Sequence, residues 1–251
     1  LEGKFVSNLL VSVKDSVATI VINRPEFGNR IEMSMVKEMT RLIQEFGQDE
    51  SIKLIHLTGQ GGDFSQGRQL PPINPDAPAT PKSAVQIRNE VTDPILEIYA
   101  VMKSCAIPLI SSINGKAFGL GCAISCLCDM TLVSEQSRFS LPEMKSNLPP
   151  TLAISAVMHA VPRKALAHLV YSTEEISAQE AFEYGLVSKV FTVDNFQAQV
   201  DAYIQNLIIR DRAALSAVKE YLNLAPGKDY EIAARYASNL LSGVLASQAK
   251  K

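Results

Sequence analysis

Residues 108–129 read Pro108-Leu-Ile-Ser-Ser-Ile-Asn-Gly-Lys-Ala-Phe-Gly-Leu-Gly-Cys-Ala-Ile-Ser-Cys-Leu-Cys-Asp129. Leu109, Ile110 and Ile113 predict a short buried strand, and Asn114-Gly115 is a turn signal. Gly119 and Gly121 then open an apolar helix through Ala123, Ile124 and Leu127. The first amides of a helix lack internal partners, and its dipole favours negative charge there. Glycines at that point let a ligand approach bare backbone. The stretch therefore offers oriented N–H groups where an oxyanion could develop. Read alone, it is equally a tight turn feeding a core helix. It is not a dinucleotide fingerprint, because Ile124 stands where a third glycine is required. It is not a phosphate-binding P-loop either, because Gly115-Lys116 is followed by Ala117.

Working outward, the same strand–glycine loop–helix unit recurs once. Ile52 to Thr58 predicts a buried strand, which runs into Gly59-Gln-Gly-Gly62 and then Asp63-Phe64-Ser65-Gln66-Gly67-Arg68-Gln69. Before it, Leu9 to Val13 and Val17 to Ile22 read as a hairpin around Lys14-Asp15-Ser16. Val36, Met39, Ile43 and Phe46 form one apolar helical stripe. Five prolines between Leu70 and Lys82 predict a long surface loop. A helix is expected from Ser83 to Ser104, kinked or split at Pro94. Beyond the central stretch, strands are expected at Met130 to Val133 and Leu186 to Phe191. Phe139 to Glu143 reads as an extended approach to a loop. Helices are expected at Leu152 to Ala160 and Pro162 to Tyr171. Ser177-Ala-Gln-Glu180 is a capping box for a short helix, and the pattern is helical from Asn195 onward. The order ββα, βα, βα, β and then helix argues a mixed α/β domain with a helical C-terminal part.

Composition narrows the function classes. The chain has 251 residues, of which 47% are hydrophobic and 20% charged, a globular balance. A chain of this length buries enough surface to need no covalent staples. A net charge of -2 gives no electrostatic case for nucleic acid or an anionic membrane as partner. No apolar run approaches the length of a membrane span. Cys122, Cys126 and Cys128 crowd one helix without zinc spacing, so no metal site is expected and buried thiols in a reducing, cytoplasmic setting are.

The chemistry-bearing candidates are few. One backbone N–H from each glycine loop could meet a single carbonyl oxygen and stabilise an enolate or a tetrahedral oxyanion. Glu143 follows Pro142 in apolar surroundings, where a carboxylate would have a raised pKa and could move protons at neutral pH. Its plain alternative is a surface-loop glutamate. His56, His159 and His168 are scattered and belong to no catalytic motif, so they read as structural or surface residues. Arg210, Arg212, Lys219, Lys228 and Arg235 read as solvated charge on the last helices, with one of them a candidate for a ligand phosphate.

Taken together these residues resemble the crotonase superfamily, also called the enoyl-CoA hydratase/isomerase family, over nearly the whole chain. Asn23-Arg24-Pro25 with Asn29 is similar to the family's first loop, and Phe64-Ser65-Gln66-Gly67 to its first oxyanion loop. Pro108 to Gly115, Gly119-Leu-Gly121 and Cys128-Asp129 are similar to its second. Phe139-x-x-Pro142-Glu143 is similar to the catalytic-glutamate loop, and Ile176-Ser177-Ala178-x-x-Ala181-x-x-x-Gly185-Leu186-Val187 to a later helix-to-strand signature. The resemblance implies a spiral of ββα repeats, residues 1–190, with a helical C-terminal trimerisation region, residues 191–251. It also implies a homotrimer or dimer of trimers, and an acyl-CoA substrate whose coenzyme A is part of the substrate, with no separate cofactor. The backbone N–H groups of Arg68 and Leu120 would be the oxyanion donors and Glu143 the acid/base. Gln66, Gly67, Gly119, Gly121 and Ala123 would meet the substrate.

The chain departs from the family pattern at chosen places. Ala123 stands where the dual-carboxylate hydratases carry a second glutamate. Arg68-Gln69 replaces a common Ala-Asp, and Asn147-Leu-Pro149-Pro150-Thr151 replaces a glycine-rich turn. One carboxylate favours isomerase-like proton transfer over hydration or C–C cleavage. The competing reading is a non-catalytic acyl-CoA-binding or assembly module on a degenerate site.

Overall fold

The computed structural model describes residues 8–70 and 82–249. Most of the expected proline-bearing loop, residues 71–81, lies outside the described residues. Strands β1 (Leu9–Lys14) and β2 (Val17–Ile22) form the expected hairpin, with Lys14 opposite Val17. Asp15 and Ser16 both take positive φ, 50° and 63°, which matches the twist of a two-residue hairpin turn. Helix α1 (Met33–Gln48) buries Met35, Val36, Met39, Leu42 and Ile43, and strand β3 (Leu54–Gly59) then pairs parallel to β2.

The helix expected over 83–104 is divided. A short α2 (Ala84–Ile87), closed by a capping box between Ser83 and Gln86, passes through one π turn at Arg88–Thr92 into α3 (Asp93–Ser104). Pro94 is the second residue of α3 and follows directly on the π turn, a local rewinding that accommodates a residue with no N–H to donate. The break falls immediately before the proline.

The central stretch forms β4 (Leu109–Ile113), β5 (Lys116–Phe118) and α4 (Leu120–Leu127). After it come β6 (Met130–Ser134), β7 (Arg138–Ser140), a 3-10 turn at Pro142–Ser146, α5 (Thr151–Val157) and α6 (Arg163–Ser172). Then follow β8 (Ile176–Ser177), α7 (Ala178–Glu183), β9 (Lys189–Phe191), α8 (Phe196–Ile208), α9 (Arg212–Leu224) and α10 (Tyr230–Gln248). The capping box at Ser177 and Glu180 is present. The strand expected at Leu186–Phe191 is shorter: Leu186 and Val187 are core residues of the connection, and only Lys189–Phe191 joins the sheet.

Six strands form one sheet in the order β1-β2-β3-β4-β6-β9, parallel except for the first pair. Its two faces are both covered. The main core, with α1, α3 and α4, holds Ile20, Ile55, Leu109 and Ile113. On the other face α8 lays Phe196, Val200 and Ile204 over Val17, Leu54, Ile110 and Leu132. A second, three-stranded sheet, β5-β7-β8, was not anticipated from the sequence. Its strands are too short to carry a period, and β5 falls inside a stretch that reads as turn and helix start.

Two of the cations expected to be solvated are structural. Lys219 on α9 is 4% exposed and donates to Met102 O (3.1 Å), Ile107 O (3.1 Å) and Asp129 Oδ2 (2.9 Å). Arg212 donates to Ile52 O (2.9 Å) and Gly47 O (2.9 Å). Their long stems carry the charge to carbonyls left open at the ends of core elements, which a one-dimensional charge pattern does not reveal. No described helix is long and apolar enough to cross a membrane.

Candidate active site

The site is assembled by three loops that hold one another through backbone. The first follows β3. Gly59 is required there, because a Cβ would lie 2.3 Å from Asp63 O. Asn29, fully buried, clamps this loop: its amide donates to Gln60 O (2.9 Å) and Asp63 O (2.6 Å), while its Oδ1 accepts from Arg24 N (2.8 Å). Arg24 in turn bonds Arg30 O (2.8 Å) and pairs with Glu32 (2.9 Å). The Asn-Arg-Pro segment is thus a brace for the glycine loop.

The second loop is joined to the first by Asp63. Its Oδ1 accepts from Lys116 N (2.9 Å) and its Oδ2 from Gln66 Nε2 (2.7 Å). Phe64 N and Ser65 N both donate to Lys116 O, and Phe118 N donates to Ser65 O. Gly121 is packed so closely that a Cβ would meet Ser65 O at 2.6 Å. Ser65 Oγ also accepts from Gly67 N at 3.1 Å. These contacts bring Gly67 against the start of α4: a Cβ on Gly67 would lie 3.3 Å from Phe118 O and 3.9 Å from Leu120 N.

The third loop arrives through the small sheet. Phe118 pairs with Ser140, and Gly119 N donates to Ser140 O (2.9 Å). Three residues later Glu143 lies in the 3-10 turn begun by Pro142. Its Oε1 lies 2.9 Å from where a Cβ on Gly119 would be.

Two features of this arrangement bear on chemistry. Among the described residues, neither Arg68 N nor Leu120 N has a hydrogen-bond acceptor. Leu120 is the first residue of α4, so its amide is one of the helix's open donors. Glu143 Oε2 is buried without a hydrogen-bond partner among those residues. Desolvation pushes the Glu143 carboxyl above its ordinary 4.5, and its own amide offsets only part of that rise. The arrangement holds two free N–H donors beside a proton-holding group, the parts needed to form and protonate an enolate.

The other expected contacts divide. Gly67 and Gly119 line the junction itself. The Gln66 side chain is committed to Asp63 and lies against Gly28, and Gly121 serves close packing on Ser65. Ala123 is fully buried inside α4, with its amide bonded to Gly119 O (3.0 Å). Asp63, which ties the two glycine loops, escaped the sequence reading. An aspartate just after Gly-Gly signals a side chain bonding nearby backbone, but nothing local names Lys116 as its partner. Tyr99 on α3 was also missed: it is buried, burial pushes its hydroxyl up, and the fields of Cys122 and Glu143 act in the same direction. His56 is buried and bonds Ser112 Oγ (2.7 Å). Cys105, Cys122 and Cys128 are buried thiols, and Cys126 is half-buried. A crevice of about 320 Å³ between the β3 loop and the start of α8 has Asp63 as its one titratable lining group, already engaged as above.

A sequence profile described as Enoyl-CoA hydratase/isomerase matches residues 12–251. The chain belongs to this family. It is 29% identical to the (E)-benzylidenesuccinyl-CoA hydratase of Thauera aromatica, over 94% of this chain and 89% of that protein. It is 28% identical to the mitochondrial enoyl-CoA hydratase domain-containing protein 3 of Mus musculus, over 74% of this chain. The match spans 60% of the mouse relative's length. Among solved structures, a putative enoyl-CoA hydratase of Thermobifida fusca in complex with CoA superposes with a TM-score of 0.86 at 25% identity. That superposition covers 97% of this chain and 95% of the other. The α/β architecture expected from the resemblance, the crotonase fold with C-terminal helices, is the one observed.

Proposed function

We propose that the protein is an enzyme acting on an acyl-CoA thioester, with one carboxylate doing the proton chemistry. The observation that carries this reading is the meeting of two unengaged amides, Arg68 N and Leu120 N, with the half-buried Glu143 at Gly119. The thioester carbonyl would accept from both amides, so that charge developing on its oxygen is met by donors already in position. Glu143 would take a proton from the carbon framework and return it to another carbon. Ala123 supplies no second carboxylate at that position to hold and split a water, which ranks isomerase-like transfer above hydration or C–C cleavage. The CoA-bound structural neighbour and the relative named as a hydratase of a CoA ester support an acyl-CoA ligand. Helix α10 exposes Ile232, Leu241 and Leu245, apolar surface that supports a homotrimer or a dimer of trimers. Four free thiols support a reducing, cytoplasmic setting.

The deciding experiment follows the absorbance of the conjugated enoyl thioester after enzyme is added to a 3-enoyl-CoA. A rise that vanishes in Glu143→Gln establishes one-base isomerisation. No rise, with hydration of a 2-enoyl-CoA, moves the reading to a hydratase. Tight binding of acyl-CoA without turnover of any thioester moves it to a binding module.

A further inference from the structure

Arg68 contributes more to the site than an amide. Its side chain is half-buried, yet among the described residues its guanidinium makes no hydrogen bond or ion pair. Burial pushes its pKa down, and among the described residues no carboxylate acts in the opposite direction. Among the described residues Glu143 is not its counter-charge: the two form no ion pair, and no cation contributes to the shift of Glu143. The other carboxylate of the loop, Asp63, is bonded to Lys116 N and Gln66. A guanidinium takes planar anions bidentately and is costly to bury unpaired.

The backbone of the same residue fixes where that side chain starts. Gly67 O and the amide of Gln69 bond the two sides of Ile31, which holds Arg68 in a short extended segment. If Arg68 N meets the thioester oxygen, its side chain starts at the carbonyl and extends only a few bonds from it. Along an extended pantetheine arm the pyrophosphate and ribose phosphate of coenzyme A lie beyond that reach, and the free-CoA titration below separates a folded-back arm from an acyl carboxylate.

We propose that Arg68 is a specificity residue that pairs with a carboxylate carried by the acyl group, so that the preferred substrates are short acidic acyl-CoA esters. This deepens the acyl-CoA reading above and rests on it. The pair does no chemistry. It supplies a charge-assisted contact that orients the acyl chain while the carbonyl lies on the two amides, and it leaves Glu143 free for the proton.

The test compares glutaryl-CoA with valeryl-CoA, saturated thioesters of equal carbon count that differ in the terminal carboxylate. Free CoA is the third ligand, and all three are titrated by calorimetry into the wild type and into Arg68→Gln, Arg68→Met and Arg68→Lys. The readout is the ratio of affinities, so uniform effects of a substitution on the loop cancel. The wild type is expected to prefer glutaryl-CoA by roughly tenfold or more. Gln and Met abolish the preference and Lys keeps part of it. Equal wild-type affinities for the two thioesters overturn the proposal while leaving the acyl-CoA reading intact. A preference that survives in Gln and Met, with all three ligands weakened in proportion, also overturns it and assigns the guanidinium to the nucleotide phosphates. Failure of the wild type to bind any of the three overturns the acyl-CoA reading itself.

Discussion

Gly119 and Glu143 occupy one contact. A methyl group at Gly119 would lie 2.9 Å from Glu143 Oε1, and Gly119 holds φ at +49°, where a side chain is strained. The glycine therefore serves the acid by leaving room for it and serves Leu120 by turning the chain into α4. Gly119→Ala is expected to lower kcat by about 100-fold, because it shifts both the carboxylate and the amide. It should also cost about 1–3 kcal/mol of stability through the backbone strain. Denaturant unfolding and steady-state kinetics measured together check this, and an alanine variant with wild-type kcat removes the contact from the mechanism.

Glu143→Gln keeps shape and removes the exchangeable proton. Turnover should fall by about 10³-fold with acyl-CoA affinity nearly unchanged. The carboxyl's pKa is raised by desolvation, and the base form is the ionised one, so the wild-type rate should rise with pH through an apparent pKa above 4.5. The same shift affects stability. A carboxyl whose folded pKa is raised favours folding below the unfolded pKa and loses that contribution as pH rises through the folded one. The Gln variant should therefore melt higher than wild type at pH 7, by on the order of a degree or two, and equal to it at pH 3.

Lys219→Met tests the buried ammonium. It breaks the bond to Asp129 Oδ2 and the two carbonyl bonds, but Asp129 keeps Leu109 N at 2.7 Å. The expected loss is about 3 kcal/mol in urea unfolding. A loss under about 1 kcal/mol would mean the cation is no more than an exposed surface charge.

His56 sets an acid limit. Burial lowers its pKa from 6.5 to about 4, so it folds neutral against Ser112. A base with a depressed folded pKa contributes stability above its unfolded pKa and loses it as pH falls from 6.5 toward about 4. Stability should fall by up to about 1.4 kcal/mol per pH unit in that window. His56→Gln should flatten the slope, and an unchanged slope in the variant would assign it to other groups.

Much of the fold is legible because its long elements carry their own pattern. The stripe of α1, the β-branched hairpin and the capping box at Ser177 all follow local rules that tertiary contacts did not override. Glu143, Gly67, Gly119 and Leu120 were legible as separate candidates and through the family resemblance. Their meeting was not, because it depends on the three-residue strands β5 and β7 and on Asp63 reaching across fifty-three residues to Lys116 N. Nothing near Asp63 names that partner. Lys219 and Arg212 were misread for the same reason: a charge in sequence looks alike whether it ends in water or on a carbonyl.

The buried ammonium of Lys219 has a mechanical consequence. Asp129, its partner, closes the connection just beyond α4, and the opposite end of that helix presents Leu120 N. Met102 and Ile107 lie on the segment that leads into β4. Helix α9 is therefore pinned by one side chain both to the far end of α4 and to the segment leading into β4, so the C-terminal helices and the element that presents Leu120 N share an anchor.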